Sequence, residues 1–242
     1  MTSDAGSDVV GHFRAVFEAV KRHPILVLPP LAVHVLLVAL LVFVWGGTMG
    51  MGALMGGALG GGHGAMAGGV AGFVAGGLLF ALATMLVSLV ASGVVVVMAR
   101  DALAGREPAV GDAVGAVVGR IADVAIASTL VTLLVGLGML FLVIPGLVVG
   151  FLLIFTLPAV LLDGAGAVDG LKKSFEVVKA NVGPVLGFVV GVILVAVGAV
   201  IVGSIVRVVP LLGTLAAAAI NGAVLSYVTV VGVRLYQALP RR

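Results

Sequence analysis

Few residues in this chain have the chemistry to do more than pack, and they sit inside or beside long apolar runs. His34 follows Pro29-Pro30, Asn221 lies in an Ala-rich stretch, Arg207 stands alone between two apolar runs, and Asp163 closes another. Polar groups in hydrocarbon are costly, so each is a candidate for function. His34 could relay a proton or bind a ligand; the competing role is one hydrogen bond to a neighbouring helix. Asn221 could line a permeation path or bond across helices. Arg207 could hold a lipid phosphate or an anionic substrate, or simply reach back to the interface. Asp163 could cap the helix that follows or pair with a lysine. As a catalytic acid or metal ligand it would need a partner carboxylate or ligand set, and the apolar runs supply none. His12, His23, His34 and His63 are far apart in sequence, which argues against a shared metal site. The absence of cysteine excludes thiol chemistry, disulfides and Cys-ligated metals. The Gly-rich runs lack the Lys-Ser/Thr and the preceding strand of a phosphate loop. The sequence therefore predicts no enzyme, no cofactor and no metal.

The elements that must position these residues follow from composition. The chain is 62% apolar and 10% charged over 242 residues, whereas soluble domains are about 25% charged. Apolar stretches at 24–45, 66–98, 121–144, 146–162, 183–206 and 213–236 approach or exceed the roughly 18 residues that mark a membrane span. The first stretch follows mixed charges and reads as a retained helix, not a cleaved leader. Ile144-Pro145-Gly146 divides the third from the fourth, and a tight hairpin is expected there. The fold class is all-α: a polytopic bundle of six transmembrane helices, a single membrane domain over 1–242, with two or three cytoplasmic-side interfacial amphipathic helices at 8–22, 109–120 and 166–181.

Charge sets the orientation. Six crossings put Arg14, Lys21, Arg22, Arg100, Arg106, Arg120, Lys172, Lys173, Lys179, Arg234, Arg241 and Arg242 on one side, and Arg207 on the other. Short loops rich in Lys and Arg stay cytoplasmic, so both termini are expected there, in a cell membrane. Merging the third and fourth spans would move Lys172, Lys173 and Lys179 across and destroy the bias. The positive charge thus reads as topology, and gives no support to nucleic-acid binding.

Helical spacing marks the interfacial segments. Val9, Phe13, Val16 and Val20 share one face, as do Val168, Leu171, Phe175 and Val178, and more weakly Val110, Val114, Val117 and Val118. Asp169 is placed to pair with Lys173 at i+4. Lys21, Arg22, Lys172, Lys173 and Lys179 suit anionic headgroups. Phe17-Glu18-Ala19-Val20-Lys21 is similar to Phe175-Glu176-Val177-Val178-Lys179, and each precedes a proline, Pro24 or Pro184. An interfacial helix followed by a hairpin of spans would then be a repeated, parallel unit. Gly64, Gly68, Gly72 and Gly76 recur every four residues, continuing Gly52, Gly56 and Gly60, a spacing that lets helices approach closely. The stripe could seal an oligomer, line a pore or pack within the chain. The uncharged stretch 46–65 is expected to fold back as a re-entrant or helical extension.

The segment IPGLVVGFLLIFTLPAVLLDGAGAVDGLKKSFEVVKAN, from Ile144 to Asn181, resembles a diffuse group of six-helix membrane families. The group includes the membrane domain fused to some glycerophosphodiester phosphodiesterases and several prokaryotic families without assigned function. The shared pattern falls on Pro145-Gly146, Pro158, Asp163, Leu171, Lys172, Ser174, Phe175, Val178, Lys179 and Asn181; Lys21-Arg22-His23-Pro24 also fits. Phe175 stands where Trp is common. The resemblance implies a six-helix membrane domain and carries no activity, because the phosphodiesterase is a separate soluble domain.

The expected function is that of a non-enzymatic integral membrane protein, with an envelope, lipid-interacting or scaffold role. Its expected partners are membrane lipids, with a protein partner or a second copy as further options. The alternative is a small transporter or channel, with a polar path drawn from His34, Ser88, Ser92, Thr129, Thr132, Asn221 and Tyr227.

Overall fold

The computed structural model describes residues 11, 13, 16, 24–206 and 212–240. Among the described residues there is helix and no strand. A lipid-embedded backbone must satisfy its hydrogen bonds internally, and helices do so within one segment. A 3-10 turn, Pro24–Val27, leads into α1 (Leu28–Leu103), α2 (Val110–Val118), α3 (Ile121–Phe141), α4 (Val143–Leu152), α5 (Thr156–Leu162), α6 (Ala167–Ala180), α7 (Val182–Val206) and α8 (Leu212–Ala238). Five helical segments are long and apolar enough to cross a membrane: Gly46–Ala81, Ile121–Phe141, Val143–Leu162, Val182–Val206 and Ala219–Ala238. They fit a multi-pass membrane protein. Large apolar side chains face outward, among them Leu140 at 79% and Phe141 at 80% exposure. In water each such side chain would forgo about 1.5–3 kcal/mol of burial; in hydrocarbon it loses nothing.

The helix α1 doubles back on itself. Gly60 and Gly61 leave the helical region, and Gly61 takes φ +63, a left-handed value that glycine adopts without strain. Gly46–Ala81 therefore supplies two antiparallel arms, not one crossing. Residues Ala32–Ser88 make a compact unit of their own, a hairpin whose arms touch backbone to backbone. A Cβ added to Gly52 would lie 2.2 Å from the Gly68 carbonyl oxygen, one on Gly56 2.0 Å from that of Gly64, and one on Gly72 2.1 Å from that of Thr48. So Gly64, Gly68 and Gly72 pack inside the chain, and Gly76 is buried. Helix occupies 46–65 on both sides of the turn. The arm 32–59 is about 42 Å long at 1.5 Å per residue, more than the roughly 30 Å hydrocarbon core.

The second unit comprises Met1–Leu31 and Leu89–Arg242. Its core gathers Val94 to Ala99 of α1 with Val117, Val124, Phe155, Val160, Val178, Phe188, Val230 and Tyr236. Leu142, in an extended conformation, turns α3 into α4. A Cβ on Gly138 would come within 2.8 Å of the Gly146 Cα, so the two helices meet closely just past the turn. The hairpin expected at Ile144-Pro145-Gly146 thus turns two residues earlier. Pro145 falls in the first turn of α4, where its missing N–H costs no helical bond. The expected span 146–162 is also not one straight helix: Leu153–Phe155 interrupts it between α4 and α5.

The short helices dock through small-residue faces that spacing did not mark. In α6 the buried residues are Ala167, Gly170, Ser174, Val177 and Val178. Val168 and Phe175, on the apolar face marked by spacing, are 53% and 41% exposed. The small residues win because α6 docks closely on α3, α4 and α5; a Cβ on Gly170 would approach a Val160 methyl to 2.6 Å. In α2, Ala113 and Val117 are buried while Val114 and Val118 are exposed. Of the N-terminal segment, Val16 is fully buried, and Phe13 packs against Phe188 and Tyr227.

Candidate functional site: the charged layer at the helix ends

The ends of α1, α5, α6 and α8 carry a layer of ion pairs and hydrogen bonds. At its centre is Asp163, just past α5, with only 12% of its side chain exposed. Lys173 of α6 pairs with it at 2.8 Å, and the Tyr236 hydroxyl of α8 donates to the same carboxylate oxygen. One carboxylate therefore joins three helices. A buried carboxylate without partners would be strongly destabilising, which is why Lys173 turns inward. The expected Asp169–Lys173 pair gives way to Asp169–Lys172 at 3.6 Å. The N-cap of α6 is Gly166, and Asp163 meets that helix through Lys173.

Arg120, between α2 and α3, closes the other side of the layer. Its guanidinium donates to the carbonyls of Val160 at 2.6 Å, Gly164 at 2.9 Å and Ala165 at 3.0 Å, and to Asp123 at 3.0 Å. The last carbonyls of a helix have no intrahelical donor, and a cation there also meets the negative end of the helix dipole. Gly164, at φ +70, brings its carbonyl around to the arginine.

Deeper, Ser174 mends the break between α4 and α5. Its Oγ accepts from the Phe155 N–H and donates to the Leu152 carbonyl, both at 3.0 Å. The Thr156 hydroxyl donates to the Leu153 carbonyl at 2.8 Å. Broken backbone at membrane depth persists only where protein groups satisfy it, and here one fully buried serine satisfies two groups.

At the end of α1, Asp101 accepts from both Arg100 and Arg106. Burial pushes the Asp101 carboxyl up, but the two guanidiniums outweigh it and hold it below its ordinary value.

Asn221, Thr129, Thr132 and Tyr227, among the described residues singled out from the sequence, do not converge. Asn221 is exposed on α8; its neighbour Gly222 packs against the backbone of Pro30 and Leu31. Thr129 and Thr132 are exposed, and the Thr132 hydroxyl returns to the Ser128 carbonyl. The Tyr227 hydroxyl bonds to the Phe13 carbonyl at 2.8 Å. Ser226 bonds to the Leu26 carbonyl at 2.7 Å. These are single bonds to backbone, not the lining of one path. The His34 side chain, His12, Lys21, Arg22, His23, Arg207, Arg241 and Arg242 lie outside the described residues. Among the described residues no group of His, Cys, Asp or Glu could hold a metal.

The cationic residues of α6 divide. Lys173 is committed to Asp163, whereas Lys172 is 69% exposed and Lys179 is exposed with its ammonium 5.8 Å from the Phe175 ring centroid. Val168, Lys172, Phe175 and Lys179 recur at i, i+4, i+7 and i+11, forming one outward stripe opposite the docked face. Sequence reasoning missed Ser174, Arg120 and Tyr236 as positioning residues. Ser174 carried a signal: it is the lone hydroxyl among Ala167, Gly170, Val177 and Val178 on one wheel face.

No family model, no curated protein and no solved structure matches the chain.

Proposed function

We propose that this chain is a non-enzymatic integral membrane protein of six crossings that engages the anionic headgroups of the cytoplasmic leaflet, in an envelope-organising or scaffold role. The observation that carries this reading is the stripe on α6. Val168 and Phe175 suit the acyl boundary, while Lys172 and Lys179 between and beyond them reach phosphates. Unlike a free amphipathic helix, α6 is clamped from behind by Ser174 and by the Lys173–Asp163 pair, so the stripe is presented at fixed height. The two arms of α1 with α3, α4–α5, α7 and α8 make six crossings, which returns every described lysine and arginine to one side. The resemblance of residues 144–181 to six-helix membrane families supports the architecture only. The scattering of the described polar side chains weighs against a transport path.

Reconstitution tests the reading. Boundary-lipid selectivity for anionic over zwitterionic headgroups should fall with salt and drop severalfold in K172Q/K179Q; unchanged selectivity would overturn it. A solute flux abolished by Asn221→Leu would establish the transporter instead. Single cysteines at Gly60 and Lys172, in a chain without native cysteine, should label from opposite sides.

A further inference from the structure

Beside the aromatic cluster of the second unit lies a cleft of about 280 Å³, lined by Ser92 and Val96 of α1, Phe155, Phe188 and Val192, and Thr229 of α8. Its lining is apolar apart from the Ser92 and Thr229 hydroxyls. The Thr229 hydroxyl donates to the Leu225 carbonyl of its own helix, and Ser92 is not without a partner. Its volume is just below the roughly 300–1,000 Å³ typical of ligand sites, which suits a single chain better than a fused-ring molecule. Toward the charged layer the cleft is roofed by Phe155, which stacks on Phe188 at 6.4 Å and tilts against Tyr236 at 5.4 Å; Tyr236 in turn binds Asp163. It opens sideways, where Ser92 is exposed and Ile193 and Ile154 are 54% and 38% exposed. An occupant must therefore enter from the flank of the bundle.

Charge above the mouth says what kind of occupant. Ser92, Val96 and Arg100 share one face of α1 at i, i+4 and i+8, so Arg100 lies about 12 Å along the axis from Ser92. Arg100 and Arg106 share one carboxylate, Asp101, with side chains 37% and 60% exposed. Glu107 is exposed and makes no ion pair with either, so although the four charges cancel, both guanidiniums keep N–H donors beyond those given to Asp101. We propose that the cleft holds one acyl chain of an anionic phospholipid whose phosphate meets Arg100 and Arg106. This rests on the lipid-engaging reading above but names a different site from the α6 stripe, a slot for one molecule beside a general headgroup contact.

The test is native mass spectrometry of the purified full chain with equimolar phosphatidylglycerol and phosphatidylcholine of identical chains. One phosphatidylglycerol should be retained, with roughly tenfold preference. Ser92→Phe, which plugs the exposed mouth, and Val192→Phe, which fills the wall, should each lower retention of both lipids at least fivefold. Arg100→Gln should erase the headgroup preference and leave chain retention. K172Q/K179Q should leave this single molecule bound. Retention unchanged in both Phe variants would overturn the cleft. If K172Q/K179Q then still lowers boundary selectivity, the reading of the α6 stripe survives; if it does not, both fall. Unaltered thermal transitions for Ser92→Phe, at an exposed site, separate plugging from misfolding.

Discussion

The glycine hairpin of residues 32–88 and the charged layer around Asp163 hold helices together by opposite means. In the hairpin the arms meet through missing side chains: Gly52 against Gly68 and Gly56 against Gly64, at distances where a Cβ would overlap a carbonyl oxygen. In the layer they meet through particular side chains, each aimed at one partner: Arg120 at three carbonyls, Ser174 at two backbone groups, Asp163 at Lys173 and Tyr236. In lipid no hydrophobic force draws helices together, so close backbone contact and satisfied polar groups do that work. At its contact positions the hairpin has room for no side chain larger than that of glycine. The layer tolerates few exchanges at its hubs and is indifferent elsewhere.

That contrast can be broken from either side. Gly68→Leu should have the largest effect. Its side chain has no rotamer that avoids the opposing backbone, and the hairpin should lose about 3 kcal/mol or more, measured by denaturation in mixed micelles; Gly60→Ala, where nothing lies within 4 Å, should be nearly silent. Arg120→Gln comes next, at about 2–3 kcal/mol, because the Val160 carbonyl at the end of α5, the Gly164 and Ala165 carbonyls of the turn that follows, and Asp123 lose a charged donor; an effect as small as that of Lys172→Gln would refute its hub role. Ser174→Ala leaves the Phe155 N–H and Leu152 carbonyl unpaired, and about 1–3 kcal/mol is expected, with faster amide exchange confined to residues 152–156.

The smallest effect is in pH. The folded Asp101 carboxyl is held below its ordinary value of 3.8, so its contribution is fully present above that value and disappears as pH falls through the lower folded value. Melting curves of the parent and Asp101→Asn should therefore differ at neutral pH and at pH 4, and converge only in stronger acid. Convergence already at pH 5 would mean that the two arginines do not hold the carboxyl down.

Much of the fold was legible because hydrocarbon imposes so few solutions. Long apolar runs, Pro145-Gly146 near a turn and the extent of α6 all follow from backbone satisfaction, proline stereochemistry and helical spacing. The glycine spacing foretold close approach, though not its partner. In α2 and α6 periodicity marked the bulky apolar side and gave no sign of the small-residue side on which each helix docks. Val168 and Phe175 point outward because Gly170 and Ser174 allow α6 to reach the Val160 turn.

The sequence by itself determined that this chain is helical, apolar enough for a membrane, without cysteine, and sparing in charge. Those are properties of composition and local spacing, set before any two helices meet. Only the tertiary structure decided which lysine is spent on Asp163 and which remain outward, that the fourth apolar run breaks at Leu153–Phe155, and that a cleft opens beside Ser92. Each depends on partners dozens of residues away, such as Ser174 for Phe155 and Tyr236 for Asp163, and spacing along one helix carries no information about the rotation of its neighbour.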